Sequence, residues 1–444
     1  MNVATDSSSL HTAVKPMAVC AVLSVKPTRA LVDEKWQIVA NNLKPNQEVT
    51  LYSIHQTEDK DCWEAYGHYI SDEHGTVSVS KDASSGGTYT GVEPMGLLWS
   101  MHPVPGSRHG LRMRKKDVTS PMLVSVSVFS GHLAQGFSEK DALATVVTER
   151  WYLAPGVQRV DISERGVKGT FFIPPGPGPF PAVLDMWGGG GGLVEYRAAL
   201  FASHGFLTMA LEYLSADEQR SYDVGTEYFE KSYDLLQSHP RASPGRVAVL
   251  GLSFGAAVTF TLAAYSKTVK PQCCICISGT HVFPLNESPG EVEKRMKRNT
   301  SKAYYDENHH VVSKHTILPI PATLEDKVDV GQIKCPLLIV AGQDDQNWAA
   351  VESAEDIQQM MDLAGNGHLL TVLSYPDAGH LIEPPYTPHV RFSNFINRSN
   401  GQKVLMLWGG HPEAHAVAQE DSWTKILHFL HTHLYKDTIP AARL

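Results

Sequence analysis

The spacing of apolar and polar positions changes near residue 155. Upstream, short runs at 37–39, 48–54, 68–70, 76–79 and 122–128 alternate in polarity or are rich in β-branched residues. Turn-forming clusters separate them, among them Asn41-Asn42, Ser71-Asp72-Glu73-His74-Gly75 and Ser84-Ser85-Gly86-Gly87. No strong helical period interrupts the series. Strands at this spacing, each burying one face, predict an all-β, immunoglobulin-like sandwich.

Downstream of about Gly156 the apolar runs become continuous, at 182–186, 206–213, 247–250, 273–278, 336–340 and 369–374. A strand at 167–173 precedes them, joined to the next by the Pro/Gly-rich turn 174–179. Helical stretches lie between the runs, to about His204 and at 225–236, and 422–434 forms an amphipathic closing helix. Strands alternating with helices predict an α/β fold: a mostly parallel sheet with helices on both faces. The expected organisation is a flexible N-terminal segment (1–17), a β-sandwich domain (18–155), an α/β domain (156–437) and a C-terminal tail (438–444).

Two apolar stretches imitate membrane or secretory signals. Residues 247–266 carry no charge, enough for a hydropathy window to mark a span. Gly251, Ser253 and Gly255 interrupt the run, so a buried strand, a tight turn and a buried helix explain it better. Residues 17–25 resemble a signal-peptide core but lack a clear cleavage pattern, and read as the first strand. Residues 1–16 are Ser/Thr-rich with Asp6 and no arginine, unlike a mitochondrial transit peptide.

Composition narrows the function classes. The chain has 444 residues, 42% hydrophobic and 19% charged, which suits a globular protein of two or three domains. Thirty-eight Lys and Arg against 47 Asp and Glu give a net charge of -9, a poor footprint for a nucleic-acid partner. Six cysteines are too few for a disulfide scaffold. Cys273, Cys274 and Cys276 lie in one apolar run; Cys273 and Cys276 form a C-x-x-C without the second pair a zinc site needs, so buried free thiols in a reducing compartment are expected.

The sharpest chemical signal is Gly251-Leu252-Ser253-Phe254-Gly255. G-x-S-x-G between a strand and a helix is the nucleophile elbow of α/β-hydrolases. The serine sits in a strained turn, so its neighbours must be small. Its hydroxyl is lifted clear of the sheet at a helix start, where the helix dipole favours developing negative charge. The Phe254 N–H then points at the incoming carbonyl oxygen. A second oxyanion donor is expected from Trp187-Gly188-Gly189-Gly190-Gly191-Gly192, after the strand 182–186, with Gly189 the chosen donor. No G-x-x-x-x-G-K-[ST] supports reading that loop as a phosphate cradle.

In this fold the triad runs Ser, then acid, then His along the chain. The strand 336–340 leads into Ala341-Gly342-Gln343-Asp344-Asp345. Asp345, at G-x-x-D spacing, is the preferred acid and Asp344 the alternative. His380, in Pro376-Asp377-Ala378-Gly379-His380, follows the strand 369–374 at its carboxyl end and is the expected base, whereas His368 precedes that strand. No H-E-x-x-H is present, so neither a metal nor a cofactor is expected.

With these residues placed, the chain resembles the family of type I acyl-CoA thioesterases and bile acid-CoA:amino acid N-acyltransferase. The resemblance covers nearly the whole chain: ALVDEK at 30–35 and GVEPMGLLW at 91–99, then GGGGLVEYR at 189–197, GQDDQNW at 342–348, GHLIEPPY at 379–386 and WGGHPEAHAVAQEDSW at 408–423. It implies a Ser/Cys–Asp–His triad falling on Ser253, Asp345 and His380. Family thioesterases carry serine and conjugating members typically cysteine, so the serine implies hydrolysis of acyl-CoA to free acid and CoA, with medium- to long-chain fatty acyl-CoA the expected substrate. The alternative is transfer of a fatty or bile acyl group to glycine or taurine. Family members work in cytosol, mitochondria or peroxisomes. The terminal Ala442-Arg443-Leu444 matches a small–basic–Leu peroxisomal address, which makes the import receptor an expected partner and peroxisomes the first compartment, ahead of cytosol. Arg108, His109, Arg112, Arg114, Lys115 and Lys116 are candidates for the CoA phosphates, and the charged segment 289–305 for a cap over the acyl pocket.

Overall fold

The computed structural model describes residues 20–214, 225–282, 299–396 and 402–435. Its N-terminal part builds two sheets. One has the order β1 (Val22–Lys26), β3 (Gln37–Asn41), β6 (Val77–Ser78). The other runs β2 (Arg29–Leu31), β9 (Ala144–Trp151), β8 (Met122–Ser130), β4 (Glu48–Gln56), β5 (Cys62–Ile70), β7 (His102–Pro103). Leu23, Val25, Ile38 and Ala40 from the first sheet and Val49, Leu51, Trp63, Val124 and Val126 from the second share one buried cluster. That is the inward half of the alternation the sequence displays. β9 escapes the apolar pattern because Thr145, Thr148, Glu149 and Arg150 dilute it, although Arg150 is fully buried with its guanidinium 5.0 Å from the Trp36 ring.

The second part is an eight-stranded sheet of order β10 (Gln158–Glu164), β11 (Val167–Ile173), β13 (Leu207–Glu212), β12 (Phe180–Met186), β14 (Ala242–Leu252), β15 (Cys273–Ile277), β18 (Leu337–Gly342), β19 (Leu370–Tyr375). The pairings from β13 through β19 are parallel, and β10–β11–β13 is antiparallel. β10 is the one edge strand absent from the predicted set, its side chains mostly exposed. Among the described residues six helices accompany the sheets: α1 (Gly96–Trp99), α2 (Tyr196–Ser203), α3 (Thr226–Gln237), α4 (Phe254–Tyr265), α5 (Ala350–Leu363) and α6 (Pro412–Leu434). The uncharged run 247–266 resolves into the end of β14, the elbow and α4, and among the described residues no helix is long and apolar enough to cross a membrane. None of the six cysteines forms a disulfide, and Cys273, Cys274 and Cys276 are buried.

Other features also differ from the sequence reading, which placed no element at β2, β7, α1 or α5. The closing helix α6 starts at Pro412, ten positions earlier than expected, because its first turns bury His415 and Gln419 and so hide the apolar period. A four-stranded sheet of β16 (Tyr304–Tyr305), β17 (Val311–Val312), β21 (Lys403–Leu407) and β20 (Phe392–Ile396) went unpredicted; two of its strands are only two residues long.

The two parts share a core. Phe201, Trp423, Ile426 and Leu430 of the second belong to the same cluster as the sandwich residues. At this seam the Asp33 carboxylate accepts from Trp423 Nε1–H at 2.9 Å and from His204 Nε2–H at 2.6 Å.

Candidate active site

Ser253 stands between β14 and α4 with φ 56° and ψ -117°. A side chain other than glycine pays strain for positive φ, and such strain persists only where neighbours over-determine it. They do so here. The Ser253 N–H donates to Ile277 O at 2.8 Å, and the Gly255 N–H donates to Trp187 O at 3.1 Å. A Cβ on Gly251 would lie 2.1 Å from the Gly255 backbone, and one on Gly255 would lie 2.5 Å from Met186 O. The glycines of the motif are therefore there for backbone contact.

His380 and Asp345 meet the serine in the expected order. His380 Nε2 is 2.9 Å from Ser253 Oγ, and His380 Nδ1 is 2.8 Å from Asp345 Oδ2. Asp345 and His380 are each 1% exposed and Ser253 is 7% exposed, so water is largely excluded from the relay. The other carboxylate oxygen, Asp345 Oδ1, accepts from the N–H groups of Asn347 and Trp348, each at 2.8 Å. Those two bonds fix which oxygen faces the imidazole. The His380 ring lies near-parallel to Trp408 at 5.8 Å and close to Trp348 at 6.1 Å.

Asp344 faces elsewhere. Its Oδ2 accepts from Arg391 Nη1 and the Gly410 N–H at 2.8 Å each, and its Oδ1 accepts from Gln346 Nε2 at 2.7 Å. Burial alone would raise its carboxyl, but these donors hold it below the ordinary aspartate value. It braces a loop.

The glycine loop lies against the elbow. A Cβ on Gly188 would sit 3.2 Å from Ser253 Cβ and 3.6 Å from Ser253 Oγ, and one on Gly189 would sit 4.0 Å from Phe254 Cβ. Phe254 is the first residue of α4, where no helical carbonyl can take its N–H. Downstream the loop is pinned by the Gly192 N–H donating to Tyr213 O at 2.9 Å. Upstream lies a support that sequence reasoning missed: Arg197 Nη2 meets Asp185 Oδ1 at 2.6 Å and donates to Met186 O at 3.0 Å, with its guanidinium 4.9 Å from the Trp187 ring. Burial raises the Asp185 carboxyl, and Arg197 opposes that rise. Asp185 lies inside the apolar strand β12 without any flanking signal. Arg197, Trp348 and Trp408, by contrast, fall inside the quoted stretches 189–197, 342–348 and 408–423.

The basic run does not form a free cationic patch. Arg108 pairs with Asp61 at 2.6 Å, Lys115 with Glu58 at 2.5 Å, Lys116 with Asp59 at 2.6 Å, and Arg112 with Glu383. Arg114 approaches the glycine loop, its Nη2 lying 3.7 Å from where a Gly190 Cβ would be. Of the expected cap, 289–298 lies outside the described residues, as do the N-terminal segment 1–17 and the tail 438–444. Among the described residues no three His, Cys, Asp or Glu side chains are grouped to hold a metal.

Two family descriptions match the chain: "Acyl-CoA thioester hydrolase/BAAT N-terminal region" over residues 33–164 and "BAAT / Acyl-CoA thioester hydrolase C terminal" over residues 224–436. Acyl-coenzyme A thioesterase 3 of Mus musculus is 36% identical over 420 residues, covering 93% of this chain and 94% of that protein. Peroxisomal succinyl-coenzyme A thioesterase of Mus musculus is 36% identical over 433 residues, covering 93% and 97%. The mitochondrial acyl-coenzyme A thioesterase 2 of Homo sapiens is 34% identical over 439 residues, covering 96% and 87%.

Proposed function

The chain belongs to the acyl-CoA thioester hydrolase/BAAT family, and from that premise we propose that it hydrolyses fatty acyl-CoA to free acid and CoA through an acyl-enzyme on Ser253. The observation that carries the reading is the continuous relay of 2.9 Å and 2.8 Å contacts from Ser253 through His380 to Asp345.

Ser253 Oγ attacks the thioester carbonyl while His380 Nε2 takes its proton. Asp345 holds the proton on Nδ1, so that Nε2 is free to accept, and stabilises the imidazolium that forms. The carbonyl oxygen becomes an oxyanion received by the N–H groups of Phe254 and Gly189. Each such donor contributes about 3–4 kcal/mol to transition-state stabilisation. Collapse breaks the C–S bond, His380 protonates the departing sulfur, and CoA leaves. A water molecule then attacks the acyl-serine with His380 again as base, releasing the acid and restoring the serine. Ser253, His380, Asp345, the oxyanion donors and water supply every step of this scheme, which calls for no cofactor; CoA is part of the substrate.

The test is an assay of the purified protein on acyl-CoAs graded in chain length, following free thiol release with and without glycine or taurine. Thiol release matched by free acid supports hydrolysis. Amide product in excess of free acid would replace it with acyl transfer to the amino acid. Absence of thiol release from every acyl-CoA would remove the reading. The proposed compartment is the peroxisome, on the C-terminal Ala442-Arg443-Leu444. Deleting Leu444 is expected to disperse a fluorescently tagged chain into the cytosol, and unchanged punctate location would refute this address.

A further inference from the structure

Residues 408–415 have no part in the relay, yet they enclose its histidine. The His380 N–H donates to Trp408 O at 2.9 Å. On the two sides of His380, the His415 ring spans the backbone: Nδ1 accepts from the Gly379 N–H at 3.0 Å, and Nε2–H donates to Leu381 O at 2.8 Å. One ring therefore takes up the donor just before the base and the acceptor just after it. His415 is itself fully buried and held from behind by His389, stacked at 3.6 Å and 13°. His389 Nε2–H donates in turn to Gly409 O at 2.8 Å.

The packing leaves little slack. A Cβ on Gly410 would fall 2.7 Å from Gly379 N, 2.7 Å from His389 Nε2 and 2.9 Å from His415 Nδ1. A Cβ on Gly379 would fall 2.5 Å from the Gly409 backbone. The bridge also needs one chemical form of the ring. An acceptor at δ and a donor at ε on one rigid ring is neutral imidazole with its proton on Nε2; the Asn and Gln amides carry both functions too, but on neighbouring atoms too close together to reach both backbone groups as the ring does. Burial keeps it so, holding the His415 pKa down to about 4.

We infer that His415 is a positioning residue for His380, locking the backbone on both sides of the base so that its imidazole spans Ser253 and Asp345 at once. The inference rests on reading Ser253, His380 and Asp345 as the reacting groups, and not on the identity of the acyl group. The base must satisfy two short contacts from one ring, so a shift of the 379–381 backbone lengthens at least one. A displacement of about 1 Å in such a site costs about 10²-fold in rate.

The experiment uses the full chain and three variants: His415→Ala, which loses both bonds, His415→Asn, which keeps an acceptor near Nδ1, and His415→Gln, which keeps a donor near Nε2. Ser253 is labelled with a fluorophosphonate. The final extent counts folded sites and the rate reports alignment of the serine with its base. Turnover of an acyl-CoA is measured on the same samples. His415→Ala is expected to slow labelling and lower kcat per labelled site by about 10²-fold with KM little changed, and the Asn and Gln variants to fall between. Labelling and kcat per labelled site within about twofold of wild type in all variants that fold would overturn the inference. The comparison separates it from the proposed reaction. Slower labelling in a protein that cleaves no acyl-CoA supports His415 and refutes the thioesterase. Normal labelling of every variant that folds, in a protein that does cleave acyl-CoA, refutes His415 and spares the thioesterase.

Discussion

Asp345→Asn changes one atom and is expected to cost nearly all activity, for a reason visible in the hydrogen bonds. Asp345 Oδ1 accepts two backbone N–H groups at 2.8 Å each. If the new amide turned its NH2 toward them, two buried donors would lose their acceptor, at about 1–3 kcal/mol each. The amide oxygen therefore stays on Asn347 and Trp348, and the NH2 must face His380 Nδ1. Nδ1 then has to accept, which moves the ring proton to Nε2. That proton points at Ser253 Oγ, where a lone pair is needed. A wrong-tautomer histidine of this kind lowers kcat by about 10⁴-fold in a serine triad, or about 5.5 kcal/mol of transition-state stabilisation. The assay is thiol release under saturating acyl-CoA, with circular dichroism to verify folding. Asp344→Asn is the control: its carboxylate faces Arg391 and Gly410, so a loss of less than about tenfold is expected. A folded Asp345→Asn protein keeping more than about a tenth of wild-type kcat would refute the reasoning, as would equal losses in the two variants.

Other predictions bear on the elbow, the domain seam and pH. Gly251→Ala drives a methyl to within 2.1 Å of the Gly255 backbone, and a loss of about 1–3 kcal/mol or more in urea unfolding is expected, together with loss of fluorophosphonate labelling. Asp33→Ala strands the Trp423 Nε1–H at the seam; a stability loss of about 1–3 kcal/mol is expected, with kcat per labelled site nearly unchanged. Burial lowers the pKa of His55, His239, His281, His389, His415, His431 and His433, that of His415 to about 4. Groups depressed in this way take up protons first in the unfolded chain, so stability is fully present above about pH 6.5 and declines as pH falls toward the folded values. The thermal midpoint is expected to drop between pH 7 and pH 5, and a midpoint that rises over this interval would contradict the burial of these rings. For His415 the facing groups are His389, Arg112 and His380. Each adds to the penalty if it is charged.

Ser253 and Asp345 were legible in the sequence because each follows a buried strand that writes itself as an apolar run, and His380 because it follows the edge strand β19 in the expected order. Asp345 could be preferred over Asp344 by spacing alone, and the physical difference, two backbone donors on one oxygen, appears only in three dimensions. The strands β9 and β10 were lost because Glu149 and Arg150 in β9, and exposed positions in the edge strand β10, break the period. The start of α6 was hidden by the same buried His415 that braces the base: a polar side chain on an inward face reads as an outward one until its partners are known. The basic run looked like an anion site, but its partners Asp61, Glu58, Asp59 and Glu383 lie far from it in sequence.

The role of Ser253 is tested most directly by rapid quench of wild-type protein with a fatty acyl-CoA, followed by mass spectrometry of the peptide spanning Gly251–Gly255. A transient adduct equal to the acyl group on Ser253, formed as CoA is released and absent in Ser253→Ala, is the expected result. Undiminished CoA release by folded Ser253→Ala, with no acyl group ever attached to that peptide, would contradict covalent catalysis by this serine.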